Sequence, residues 1–592
     1  MTENKKNEAK KGRVYHAWQN TKDWFGSILH SVFTSKYFWI TLIGGFLLAI
    51  QSRGYLQPYV LVIREYLFPI FVVILVFIIS IILVKKRAKY LWLLPLTLLV
   101  GTISFVYYGG QQYIALYLKY QNLNKVEMAG LPLSGKPMPQ PLSSVHVLTK
   151  QKVSETEEVT IPDRIIHDND LWWSMEITPD YFWGKLSAKV RELYLVSGTT
   201  PSPNLSERKE VCFNVGEGLI FSSNSYNAAI KSFGPLKYLS YFPVDVRYLP
   251  NDEGVIVQVI SLAKWDGFFF PNIEFGGVIV VEQDCDESVG KVLKRVLLGT
   301  GTYIAPKDIK KHSYLKKQNL VPYNVYRYMA SSFRYQAGFF GPLKAHHKGD
   351  IRIPDMPDDQ NQQPFVQYFS EVGKENLSGL FATFALEPYK KESQGLAISL
   401  LVPGDDINTV YYYHHANKKE GLTGSTAMAS KVKDKKKNYD WGGKIRPIES
   451  KLFIRDITGK RRVFFLTVIA VVDENGNMAG SEPEIAITDA SYNAVTFVDV
   501  RQGIQGWDAE LAKTNAVMYS KETSFRQKTK ETISKTDTTE EVVEEITQPQ
   551  NVVKETDKTE EGAVSTVTSE ETDSKTDESP TEVVETPSEK TE

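Results

Sequence analysis

Three apolar runs lie close together near the N-terminus, at 37–50, 67–84 and 91–108. The second, LFPIFVVILVFIISIILV, is uncharged and long enough to cross a hydrocarbon core as a helix. The third, LWLLPLTLLVGTISFVYY, is of the same kind, and its Pro95 and Gly101 are tolerated in bilayer helices. The first, YFWITLIGGFLLAI, is short and reaches spanning length by taking in 34–36 or 51–55. The pattern predicts three transmembrane helices over 37–108. None of the runs has an ionisable residue in its middle, which favours an anchor over a solute pathway. Gly44, Gly45 and Gly101 offer sites for close helix packing.

Upstream, in 1–36, Val14, Tyr15, Trp18, Trp24, Phe25, Ile28, Leu29, Val32 and Phe33 recur mostly at steps of three and four. That spacing predicts an amphipathic helix in a basic arm, suited to the membrane surface. No apolar h-region follows the basic start, so a cleavable signal peptide is not expected. Downstream, 109–144 reads as an outward extension of the third helix (111–121). A linker follows, with Pro132, Pro137, Pro139 and Pro141.

From 145 the period shortens. VHVLTKQKV, VCFNV, GLIFSS, VDVRYL, GVIVQVISL and GGVIVVEQ predict strands in a first block, 145–336. PNDEG (250–254) forms a hairpin turn, Pro243 precedes the first strand of that hairpin, and the alternation in VIVQVISL predicts one buried and one solvated face. Two helices stand out. One is capped by Asp286, carries the apolar stripe Val289, Val292, Leu293, Val296 and Leu297, and ends at Gly299; the other covers 323–335. Two aromatic clusters, 171–173 with 181–183 and Trp265 with 268–270, are either core or contact surface. In a second block, 337–510, GLAISLLVP, NTVYYYHH, KLFIRDI, RRVFFLTVIAVV, EIAIT and AVTFVDV predict strands. Asn475-Gly476 marks a hairpin, and KVKDKKK (431–437) a solvated loop. The last segment, 511–592, is rich in Thr and Glu and predicts a disordered acidic tail. The expected fold class is a multi-pass α-helical membrane anchor of three helices, a large α+β, strand-rich extracytoplasmic region and a disordered C-terminal tail.

Charge orients this plan. The net charge of −1 over 592 residues hides a basic N-terminal arm and a basic cluster, Lys85, Lys86, Arg87 and Lys89, between the second and third runs. Basic loops favour the cytoplasm. The N-terminus and the 85–89 loop are therefore expected inside, and the loop between runs one and two, with everything after 108, outside. Trp39, Trp92, Tyr107 and Tyr108 fall where interfacial anchors belong. The balanced middle has no nucleic-acid footprint. The two cysteines, Cys212 and Cys285, are either free thiols or one disulfide, which an oxidising compartment permits.

Candidate chemistry is sparse. His346-His347 and His414-His415, with acids such as Asp350, Asp355, Asp405 and Asp406 nearby, carry metal-ligand chemistry. Adjacent histidines on a strand face opposite ways, so each pair offers one ligand per site, and no HExxH spacing occurs. The 349–365 stretch reads as a long loop suited to binding residues, and 421–426 as a small-residue loop able to cradle an anion without P-loop order. No catalytic set and no dinucleotide or other cofactor fingerprint is found. The expected function is a membrane-anchored scaffold or assembly subunit. Its partners are the lipid bilayer and other proteins, including copies of itself, and not nucleic acid. The alternatives are an extracytoplasmic metal-dependent hydrolase using His346 or His347 with His414 or His415, and an accessory subunit of a transporter or sensor.

Overall fold

The computed structural model describes residues 35–517, apart from 86–92, 108, 200–205, 234–236, 287, 344–348, 357–361, 391–393, 407, 416–420, 442, 458 and 474–477. The expected N-terminal amphipathic helix, the acidic tail beyond 517, Trp92 and Tyr108 lie outside the described residues, and the tail's expected start at 511 is corrected, because 511–517 ends a helix that buries Leu511 and Asn515.

Each apolar run is helical: α1 is Lys36–Gln51, α3 Leu67–Lys85 and α4 Leu93–Tyr107. Between α1 and α3, where a loop is expected, α2 spans Arg53–Glu65. Two opposed rows at helical spacing explain it. Arg53, Gln57 and Arg64 face the protein, while Tyr55, Tyr59, Val62, Ile63 and Tyr66 face out. Among the described residues no single helix is long and apolar enough to cross a membrane by itself. The pair Arg53–Glu65 and Leu67–Leu83, bent by 62°, meets that requirement together. Among the described residues, nothing would lie within 4 Å of a Cβ at Gly44, Gly45 or Gly101, so no close helix contact requires these glycines there. After Gly109, whose φ of 69° breaks the helix, α5 spans Gly110–Asn122, where a helix is expected over 111–121.

Four sheets form the remainder, and the protein is of mixed α+β class. One sheet runs Glu157–Val159, Asp170–Pro179, Val190–Ser197, Ser206–Phe213, with Asp163–His167 also paired to Asp170–Pro179. The next runs Thr302–Ile304, Asn272–Val281, Ile256–Asp266, Tyr241–Pro250. The largest joins Asn124–Glu127, parallel, to the antiparallel series Thr409–His414, Ile398–Pro403, Leu377–Pro388, Phe365–Val372 and Leu133–Ser134. The last runs Ile445–Ile457, Lys460–Val472, Met478–Asp489, Val495–Asp499.

These sheets stack, and that explains the runs of consecutive apolar residues. Val259 and Val278 enter the core shared with Phe384 and Leu400 of the largest sheet, while their chain neighbours Ile260 and Ile279 pack with Phe213 and Val190. Leu401 turns from Leu400's core to the one it shares with Leu452 and Phe465, and Phe453 faces Trp507 and Leu511 of a helix over 503–517. Strands buried on both faces need not alternate. The solvated face expected for VIVQVISL is therefore absent: Gln258 and Ser261 are fully buried. Burying each large side chain contributes about 1.5–3 kcal/mol.

Several local expectations are corrected. VHVLTKQKV does not begin as a strand: Leu142–Lys150 is helix α6, started by extended Pro141 and docked through buried Ser144, Val145 and Thr149. The Pro-rich stretch before it is part of the core, with Leu131 and Met138 buried and Ser134 Oγ accepting the Ile454 N–H at 2.8 Å. Residues Phe221–Ser223 within GLIFSS form a 3-10 turn rather than a strand. Pro243 lies inside its strand, where the register shifts and its missing donor is tolerated. A short helix, α7, covers Phe182–Ser187, and α8 covers Ser225–Ser232. The helix expected after Asp286 is α9, Val289–Leu298, preceded by Ser288, whose N–H bonds Asp286 Oδ1 at 2.8 Å. The other expected helix is α10, Tyr323–Ser332, completed by a 3-10 turn over Phe333–Tyr335. KVKDKKK belongs largely to helix α11, Ser425–Lys435, which buries Ala427, Met428 and Val432. Cys212 and Cys285 are disulfide-bonded, with Cα atoms 5.6 Å apart.

Candidate functional site

Only one of the two expected histidine pairs falls among the described residues. His346 and His347 lie outside them. His414 and His415 end one strand of the largest sheet. His415 is buried with Nε2 2.9 Å from Ser399 Oγ, and burial lowers the pKa of half-buried His414 against the opposing charge of Glu127. Asp350 is held by Arg334 at 3.3 Å, and Asp405 accepts the Lys317 N–H at 2.8 Å. No group of three or more His, Cys, Asp or Glu side chains able to hold a metal occurs among the described residues. The 421–426 loop does surround an anion, and the anion is the chain's own. Glu387, fully buried, accepts from Thr426 N at 3.0 Å and Thr426 Oγ1 at 2.9 Å, at the start of α11. Burial raises its pKa and these bonds oppose the rise.

Among the described residues, buried charges gather in a cleft of about 320 Å³ that no local pattern predicts. Asp245 and Arg247, two apart on one strand, share a face. Arg247 Nη1 donates to Ser261 Oγ at 2.6 Å and Nη2 to Asp245 at 3.1 Å, and Nε stands 3.5 Å from Asp163. One guanidinium is thus bracketed by two carboxylates from different sheets. Beside it, Arg164 donates to the Val366 carbonyl at 2.9 Å and stacks 4.6 Å over Trp173. Tyr326 of α10 donates to Asn319 Oδ1 at 2.8 Å, and Tyr323 to the Gln363 carbonyl at 3.0 Å. Burial raises the pKa of Asp163, against Arg247.

Further in, Glu176 accepts from the N–H groups of Glu217 at 2.8 Å and Gly218 at 3.2 Å, and from the hydroxyl of Tyr248, which itself accepts from Gln258 at 2.7 Å. Gly216 lets the backbone come this close, because a Cβ there would strike the Glu176 carboxylate. Tyr226 donates to Glu217 Oε1 at 2.5 Å. Burial pushes Glu176 up to about 7, against its three donors, and Glu217 up to about 7, against Tyr226. Asn224, capping α8, ties the turn down by donating to the Glu217 and Leu219 carbonyls.

No family model matches this chain, and neither the curated proteins nor the solved structures contain a match. Its function must be argued from its own surfaces.

Two surfaces are unusual. The aromatic cluster is split: Trp173 is fully buried, whereas Tyr181, Phe182 and Trp183 are exposed on α7. The stripe of α9 divides in the same way: Val289, Leu293 and Leu297 are exposed, Val289 to 85 % and Leu293 to 55 %, whereas Val292 and Val296 are half-buried, and no residue of α9 belongs to a core. The helix is held by polar ties instead. Arg295 donates to the Asn214 carbonyl at 3.2 Å, Lys231 to the Val296 carbonyl at 3.0 Å, and the disulfide secures the segment before it. Apolar periodicity marked this helix in the sequence, but periodicity does not say what the stripe faces.

Proposed function

We propose that the chain is a membrane-anchored, extracytoplasmic scaffold that engages a protein partner through the exposed row of α9. The carrying observation is that row: Val289, Leu293 and Leu297, apolar positions left in solvent while polar contacts hold the helix and a disulfide secures the segment before it. Single exposed apolar residues are ordinary, but an aligned row on a secured helix suits a helix-in-groove or helix-on-helix contact.

Three further features support the membrane part. α2 docks on the stacked sheets and α1 leads directly into it. α3 starts beside the sheets and runs away from them towards the basic segment after Lys85, and α4 returns. With three crossings, that basic segment and the N-terminus share the cytoplasmic side. The disulfide fits an oxidising compartment.

The test is photo-crosslinking in native membranes, with the photoreactive residue at Leu293 or at Ile161, which is exposed on another surface. A protein adduct at 293 that is absent at 161 is expected, its mass distinguishing a second copy from another protein. Equal labelling at both sites, or none at 293, removes the proposal.

A further inference from the structure

α2 is amphipathic in an inverted sense. Its polar face is turned into the protein, where Arg53 donates to the Phe233 carbonyl at 2.7 Å, Gln57 to the Tyr241 carbonyl at 2.5 Å, and Arg64 to Ser240 Oγ at 2.6 Å and the Trp265 carbonyl at 3.2 Å. Its apolar face looks out: Tyr59 is 70 % and Ile63 55 % exposed. In water the opposite orientation is favoured. The same level of the molecule carries two aromatic loops. In the turn after Trp265, Gly267 takes φ 83° and accepts from Arg64. Phe269 and Phe270 pack on Phe68 at the start of α3, with centroids 6.1 and 5.3 Å away, and Phe269 packs on Phe71 at 5.1 Å. Phe268 projects beside them, 63 % exposed. In the second loop Phe339 packs on Tyr113 and Tyr117 of α5, and Phe340 meets Phe339 edge-on while staying 69 % exposed. Gln111 at the start of α5 donates to the Glu65 carbonyl at 2.5 Å, which brings the end of α2 and the start of α5 to one depth.

We propose that the outward row of α2, Phe268 and Phe340 form a collar embedded in the outer leaflet, so that the stacked sheets sit directly on the bilayer. The inference rests on the reading that α3 and α4 cross the membrane. Phe269 lies against Phe71, one helical turn inside α3, so Phe268 reaches the depth where that apolar helix has already entered lipid. Aromatic and aliphatic side chains at that depth are stabilised by the interface, Arg53 and Arg64 are already hydrogen-bonded to the protein, and Glu65, exposed at the end of α2, falls at the headgroup level.

The full chain, reconstituted in lipid nanodiscs, tests this with an environment-sensitive fluorophore on a single cysteine at Ile63, Phe268, Phe340, Ile78 or Leu293; the native pair stays oxidised. Lipids carry a spin-label quencher either near the headgroup or near the chain end. Probes at 63, 268 and 340 are expected to be blue-shifted and quenched most by the shallow label, that at 78 by the deep label, and that at 293 by neither. Deep quenching at 78 with 63, 268 and 340 no more quenched than 293 overturns the collar while leaving the crossing intact. Loss of quenching at 78 overturns the crossing, and the collar with it.

Discussion

Glu176 and Glu217 carry a residue-level consequence that pH reads out. Their pKa values, raised to about 7 by burial, mean that the folded chain keeps protons the unfolded chain releases above about 4.5. Stability therefore falls as pH rises from about 4.5 through about 7, and is flat with respect to these groups above that window. Thermal unfolding of the detergent-solubilised protein across this range is expected to give a higher midpoint at the acid end. Glu176→Gln should flatten part of the slope, leaving the shares of Glu217 and Asp163, whose pKa burial also raises; an unchanged slope would mean that Glu176 ionises normally. Glu387 belongs to another class, since its role is to satisfy the start of α11. Glu387→Ala strands the Thr426 donors and should cost about 1–3 kcal/mol, read as a lower denaturant midpoint. None of these three glutamates could be singled out from the sequence, because nothing local distinguishes a carboxylate that meets buried donors from one in solvent. The histidine pairs illustrate the converse: adjacent, conspicuous and chemically capable, yet His415 is occupied by Ser399 within the sheet core.

Among the elements, α2 and α9 gain their roles from the way they dock. Arg53→Ala with Gln57→Ala removes the charged and amide donors that tie α2 to the carbonyls of 231–241. Docking should weaken by about 2 kcal/mol or more. Hydrogen exchange should accelerate in α2 and around 237–241 while α10, in the core, keeps its protection; uniform acceleration would instead indicate global destabilisation. Periodicity located α9, α10 and α5 because their patterns are long and regular. It failed for α6, whose β-branched VHVLT favours a strand in isolation, and for α11, where lysines masked the buried Ala427, Met428 and Val432. In both, packing against a neighbouring sheet overrides local propensity.

At the scale of the whole molecule, the helices and the stacked sheets predict one orientation. A cysteine replacing Lys294 should react with a membrane-impermeant maleimide in intact cells, and one replacing Ser35 only after lysis. The reverse pattern would invert the topology. The sequence by itself determined that an uncharged apolar block precedes a strand-rich region, because run length and side-chain polarity act through local periods. It also determined most of the strands, because β-branched runs bounded by turn residues have few other uses. Only the tertiary structure decided which faces those strands bury, because stacking makes Val259 and Ile260 core residues of different layers. It also decided that a presumed loop is a docked helix and that Asp163 and Asp245 share one guanidinium. Such pairings join residues distant in the chain, and no local pattern encodes the distance between them.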